Sequence, residues 1–414
     1  MSLSNNFPTV SPTLNLNFAA AGRLDSRVTF TRSSTATYTN QIGLIQSAAV
    51  NEPRFDYDPS TLAARGLLIE EQRTNLVIYS EDFSNAAWSK ENITITTNST
   101  TAPDGTVTAD TVTENTATLE HFTNQQTSKA ATNIQYTFSV YVKRATSGTR
   151  NVVVAMTDGT TGGYEAVFDP DDGTILIASR GIGITTGWTP GAATATNAGN
   201  GWWRFTFSAV SNTSTRLDGV VYMADGTTKT YTGNGSSNLF VWGAQLEVGS
   251  FATSYIPTVA ATVTRSADVA SVNTLSPWWN ASAGTFFIEN TFGSYGNQPI
   301  ALSDQAAVGN AWIYGDSGVI KSYIAGPNIS ISSGVSVSVN TYAKSAFAFG
   351  ADGKAISVNG STPVVSANTT APTASTQLSL GNWPGGPYSI NGHIKRVSYY
   401  PRKLSSAELQ ALTA

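Results

Sequence analysis

The stretch that decides the fold is Gly66-Leu67-Leu68-Ile69-Glu70-Glu71-Gln72-Arg73-Thr74-Asn75-Leu76-Val77. Its apolar residues gather in short blocks on either side of a charged centre, the pattern of two strands meeting at a polar turn. It marks a seam. Upstream, residues 1–75 alternate short apolar pieces such as Leu14, Leu16 and Phe18 with turn residues, which predicts strands too few and too short to close a sheet alone. This segment is expected to be an arm that packs on the next domain or on a partner protein, and it is the candidate attachment region.

Downstream the chain reads almost entirely as strands. At 414 residues it is too long for one core, because single cores stop growing near about 250 to 300 residues. Residues 76–265 carry short β-rich runs, among them Tyr136–Val142, Val152–Ala155, Trp202–Phe207, Val220–Met223 and Leu239–Trp242. They are separated by the turn signals Asp104-Gly105, Asp158-Gly159, Asp172-Gly173 and Asp225-Gly226. Alternation in the first run sends Tyr136, Phe138, Val140 and Val142 inward and Thr137, Ser139, Tyr141 and Lys143 outward. Residues 275–414 predict a second sandwich, in which Asp352-Gly353 and Asn359-Gly360 bracket one strand with sharp turns. Ser405 and Glu408 are placed to cap a short terminal helix. The expected fold class is all-β: an N-terminal arm, two antiparallel β-sandwiches of the jelly-roll kind and a short C-terminal helix. Between the sandwiches, Thr264-Arg265-Ser266 echoes Thr31-Arg32-Ser33, which suggests that the two pieces lie side by side.

Composition narrows the function classes. Charged residues make up 12% of the chain, about half the usual ~25%, and the net charge is −4. No Lys/Arg cluster is present to displace counterions, so nucleic acid is not an expected partner. The chain has no cysteine, which removes disulfides and thiol chemistry. No apolar run reaches the ~18 residues of a membrane span, and the N-terminal residues do not read as a secretory signal. A surface rich in Ser, Thr, Asn and Gly suits neutral, hydroxyl-rich partners, and equally suits β propensity and solubility alone.

The candidate binding residues are aromatics and amides, the groups that stack on sugar faces and hydrogen-bond to hydroxyls. In the first sandwich, Trp202 shares a strand face with Arg204, while Trp203, Phe205 and Phe207 are expected inside; the alternative is a Trp202 covered by a loop or a neighbouring subunit. In the second, Trp312 and Tyr314 share a face, and Asn382, Trp383 and Tyr388 belong to one Pro/Gly-rich loop. Core packing or subunit contact is the competing account for both groups. Asp304 and Asp316 are candidate calcium ligands by residue type, but their spacing specifies no site, and no metal or other cofactor is expected. Catalysis is not expected either. Glu70 and Glu71 are adjacent and point to opposite faces of a strand, the Asp169–Gly173 run is a hairpin turn, and His121 and His393 read as structural.

Several linear motifs carry a resemblance. Thr29-Phe30-Thr31-Arg32-Ser33-Ser34-Thr35-Ala36-Thr37-Tyr38, Pro53-Arg54-Phe55-Asp56-Tyr57-Asp58-Pro59, the seam running on to Trp88, and Leu246-Glu247-Val248-Gly249-Ser250-Phe251-Ala252-Thr253-Ser254-Tyr255-Ile256-Pro257-Thr258 are similar to a family of tailed-bacteriophage and prophage surface proteins. The resemblance spans roughly residues 14 to 270 and is looser beyond. It implies a fibre or spike component with a carbohydrate-binding-module-like domain and a concanavalin- or laminin-G-like domain. It further implies a place on the virion surface after assembly in the host cytoplasm and release by lysis. The expected partners are other virion proteins through the arm, host-surface polysaccharide during adsorption, and further copies of the chain, with a trimer favoured. The alternatives are a purely structural collar or decoration protein and, behind it, a polysaccharide depolymerase.

Overall fold

The computed structural model describes residues 7–145, 148–160, 162–293, 298–303, 311–324, 329–372, 375–382 and 389–414. The described chain is almost all antiparallel β, as the alternation predicts, with short helices at Phe18–Ala21 and Ser406–Thr413. Ser405 caps the second helix and closes a capping box with Glu408.

Two sheets form the first sandwich. One runs in the order Thr189–Asn197, Trp203–Val210, Gln135–Arg144, Asn238–Val248, Ala109–Glu114, Ile93–Thr100. The other runs Ile175–Gly183, Gly162–Phe168, Asn151–Thr157, Arg216–Ala224, Thr118–Ser128, with Ser89–Glu91 and Thr230–Thr232 also pairing with Thr118–Ser128. Phe138, Val140, Val142, Val152, Val154, Phe168, Phe205, Phe207 and Leu246 fill the space between them. The four Asp-Gly turns all place glycine at positive φ, from 57° at Gly226 to 86° at Gly105, a conformation that costs glycine no Cβ clash.

The expected arm is not a separate piece. Leu14–Asn17 pairs with Gly392–Tyr400, Ala64–Ile69 pairs with the other end of that strand, and Phe55–Tyr57 follows at the sheet edge. Val28–Thr31 pairs with Val269–Val272 in the facing sheet. Both layers of the second sandwich therefore take strands from residues 14–69, and Leu14, Leu16, Phe18, Phe30, Leu67 and Ile69 belong to its core. The pieces too short to form a sheet alone complete one begun 300 residues later. Between them the hairpin Ala36–Thr39 and Ile45–Ala48 reaches across to the first sandwich, where Ile45 N donates to Pro103 O (3.0 Å) and Ile45 packs by Trp202 and Trp242.

That hairpin and the segment 250–256 roof the outer face of the first sandwich's six-stranded sheet. Thr137, Ser139 and Tyr141, expected to face outward, are buried in consequence.

The charged centre of the seam lies inside this junction. Arg54 bridges Glu70 (2.7 Å) and Asp268, Arg32 pairs with Asp268 (3.0 Å), and Arg265 pairs with Glu70. Ser254 accepts from Arg54 and Arg265, both at 2.8 Å, and donates to Glu70 at 2.7 Å. Arg32, Arg54 and Glu70 come from three different quoted motifs, Arg265 from the Thr-Arg-Ser echo and Asp268 from just beyond it. The two echo pieces do lie side by side, with Ser33 Oγ and Ser266 Oγ at 3.0 Å.

Candidate functional site

Among the described residues, the candidate sugar-binding side chains are not brought together. Trp202 is only 1% exposed, and its indole donates to Thr101 O at 3.1 Å beneath the 99–106 loop and the N-terminal hairpin. The candidate stacking ring is therefore corrected to a covered one, the alternative that the sequence also allows: the sheet face that carries it is roofed. Arg204 is equally committed, donating to Ser139 Oγ (2.9 Å) and Thr253 O (2.6 Å) while lying over the Tyr141 ring. Phe205 and Phe207 are buried in the main core, and Trp203 packs against its edge. In the second sandwich Asn382 is 8% exposed and donates to Asp268 O at 2.7 Å, so it braces the ion cluster and faces no solvent. Tyr314 is half-buried with its hydroxyl 3.3 Å from Ser330 Oγ. The Trp312 side chain, Trp383, Tyr388 and Asp304 lie outside the described residues; Asp316 is held by Lys321 at 2.6 Å. Of the two histidines, His393 pairs with Asp56 at 2.7 Å and His121 stacks on Tyr231 in the core.

A cleft of about 710 Å³ opens elsewhere, on the outer face of the first sandwich's seven-stranded sheet. Strand alternation builds it. In Arg216–Ala224, Leu217, Val221 and Met223 enter the core, which turns Arg216, Asp218, Val220 and Tyr222 to the other side. In Thr118–Ser128, Thr123 and Gln125 point in, and Phe122, Asn124 and Gln126 line the cleft. The register sets Phe122 opposite Tyr222, Asn124 opposite Val220 and Gln126 opposite Asp218. Ser89 and Glu91 form one wall, and Ile182 and Gly183 the far one.

The floor is apolar at one end and polar at the other. Phe122 and Tyr222 lie with ring centroids 4.9 Å apart above Val153, Ala155 and Val220, and Phe122 is the more open ring. At the polar end Arg216 donates to both oxygens of Asp218, at 2.8 and 2.5 Å, and Asn124 adds a third donor at 3.0 Å. The hydrogen bond from Arg216 to Asp218 raises the guanidinium pKa above its ordinary value, with Asp158 adding to it. A Cβ on Gly159 would sit 2.2 Å from the Arg216 guanidinium carbon, so a side chain at this position would displace that group. Burial, together with Glu120, Glu165 and Asp218, pushes the Tyr222 hydroxyl well above the usual tyrosine range and keeps it a neutral donor.

Aromatic floor, amides, hydroxyls and a fixed ion pair are parts for holding a polar ligand with apolar faces. Two carboxylates line the cleft, Glu91 and Asp218, but they are not arranged for glycoside hydrolysis. They stand two strands apart, and Asp218 is four residues along from Tyr222, the partner of the Glu91 rung. Strand geometry separates their backbones by about 17 Å, against the roughly 5 to 9.5 Å between carboxyls that glycosidases need. Among the described residues, no three His, Asp or Glu side chains converge as a metal site.

No protein-family model matches the chain. No curated protein matches it either. Solved structures do. The sialidase carbohydrate-binding module CBM40 of Ruminococcus gnavus, bound to α2,3-sialyllactose, is 15% identical over 33% of this chain and 84% of its own, with a TM-score of 0.29. Domain 4 of the arabinanase AbnA from Geobacillus stearothermophilus, in complex with arabinotriose, is 12% identical over 40% and 82%, with a TM-score of 0.30. Trypanosoma rangeli sialidase is 12% identical over 74% of this chain and 60% of its own, at 0.28.

Proposed function

We propose that the chain is a carbohydrate-binding protein and that the cleft holds a stretch of polysaccharide without cleaving it. The observation that carries this reading is the cleft itself, a trough with a Phe122–Tyr222 floor and amide and hydroxyl flanks. Its lining comes from six neighbouring strands, from Ser89–Glu91 to Ile175–Gly183. Five steps of about 4.8 Å give a length near 24 Å, room for about four sugar rings. An open trough of that length suits the interior of a chain.

The setting we propose is the surface of a tailed-phage or prophage particle, where the protein contacts host-surface glycan. The quoted motifs support this through their resemblance to that family, as they do the expected self-association into a trimer. The arm as the point of attachment is the weaker part of the proposal, because its strands are spent on pairing within the chain.

A glycan array probed with the wild type and with Phe122→Ala tests the binding reading. Wild-type binding that falls at least tenfold in the variant, with an unchanged melting temperature, supports it; absence of wild-type binding across the array overturns it. Antibody labelling of intact particles and the mass of the protein in solution test the location and the trimer.

A further inference from the structure

We propose, on the footing of the carbohydrate reading above, that the cleft selects uncharged sugars and rejects uronates and sialates. Arg216 is the single cation in the lining among the described residues, and it is already engaged. Its Nε and Nη2 both donate to Asp218, so this edge of the guanidinium is already spent on a carboxylate of the protein itself. Asp218 is 2% exposed and depends on Arg216 and Asn124 for its charge to be tolerated. A ligand carboxylate that drew Arg216 away would leave buried Asp218 with Asn124 alone and no cation, a costly arrangement.

The surroundings work in the same direction. Glu91 faces the cleft from its wall, and Asp158 also acts on Arg216. Beside the floor, where Lys229 lies 4.2 Å over the Tyr222 ring, Glu165 takes Arg180 (2.5 Å) and Lys229 (2.9 Å), and Lys229 also reaches Glu120 at 3.4 Å. Five carboxylates, Glu91, Glu120, Asp158, Glu165 and Asp218, thus stand against three cations, Arg180, Arg216 and Lys229. An anionic sugar entering this field meets net repulsion. Hydroxyl groups meet no such barrier, because Gln126, Thr160 and Ser89 line the trough with neutral donors and acceptors.

The test uses the neutral glycan that binds best on an array and the same glycan oxidised at C6 to the uronate, titrated calorimetrically into the full chain at pH 7 and low salt. The expected result is binding of the uronate weaker by about tenfold or more. Glu91→Gln, on an exposed side chain, should narrow that gap. Asp218→Asn should narrow it further by freeing Arg216, and its melting temperature reports whether it folds. Uronate binding equal to or tighter than neutral binding overturns charge selection and leaves the carbohydrate reading standing. A gap unmoved in a folded Glu91→Gln and Asp218→Asn pair also overturns it. Failure to bind any glycan overturns both.

Discussion

Arg54 and Asp268, 214 positions apart in the chain, meet in a fully buried ion pair where the two sandwiches join. Arg54 also holds Glu70, and Arg32 and Arg265 complete the cluster. Replacing Arg54 with Met removes the central cation and leaves two buried carboxylates underpaired. The expected loss is about 3 to 5 kcal/mol, because breaking a buried pair strands charge that water can no longer reach. Denaturant unfolding should show it, with one transition in the wild type and two in the variant as the sandwiches uncouple.

The same cluster sets an acid limit. Burial works against the Glu70 carboxylate, but Arg265, Arg54 and Ser254 outweigh it and hold its pKa well below the ordinary 4.5. A depressed carboxylate contributes stability that is full above its unfolded value and is lost as pH falls through the folded one. Glu70→Gln should therefore be less stable than the wild type at pH 7, and the difference should shrink as pH drops below about 4. A difference constant from pH 7 to 2 would show that the charge of Glu70 is not what stabilises.

Trp202 should behave as a core residue. Trp202→Ala opens a cavity beneath the N-terminal hairpin and orphans Thr101 O, at an expected cost of about 3 to 5 kcal/mol. Melting temperature should fall, whereas glycan affinity measured well below the melt should change little.

The parts of the fold legible in the sequence are those with local causes. The alternation of Tyr136–Val142, the Asp-Gly turns and the Ser405–Glu408 cap each need only a few neighbouring residues. Apart from the Thr-Arg-Ser echo, what depends on distant partners was not legible. Leu14–Asn17 reads as a stray piece until Tyr399 and Val397 are seen beside it. Trp202 reads as either open or covered, because nothing near it in the chain says that Ile45 and Ala102 lie over it. The cleft was missed for a sharper reason. Thr118–Ser128 places His121, Thr123 and Gln125 on its inward face, so its alternation is polar against polar and carries no hydrophobic period. Phe122 was the one available signal, and a lone aromatic in a polar run does not identify a strand.

Gln125 shows how that strand tolerates its polar inner face. Its side chain accepts from Ile78 N at 2.6 Å and donates to Ile78 O at 2.8 Å, replacing a missing neighbour strand. Gln125→Leu should cost about 1 to 3 kcal/mol despite being more apolar, because both backbone groups of Ile78 lose their partner. Chemical denaturation checks the size. Hydrogen exchange at Ile78, faster in the variant, checks the cause.

Lys354 offers the clearest test of charge burial in the second sandwich. It is 1% exposed, its amine donates to Asn368 Oδ1, and burial lowers its pKa from the ordinary 10.5 to about 8. Below about 8 the folded and unfolded chains both carry the proton, so the full cost of burying the ammonium is present at neutral pH. Between about 8 and 10.5 the unfolded chain holds a proton that the folded protein has released, so this group makes stability rise with pH across that window. Lys354→Met should be more stable than the wild type at pH 7, by on the order of 2 kcal/mol. The advantage should shrink steadily as urea unfolding is repeated toward pH 10.5. An advantage that stays level across the window would mean that packing of the methionine, and not relief of a buried charge, is responsible.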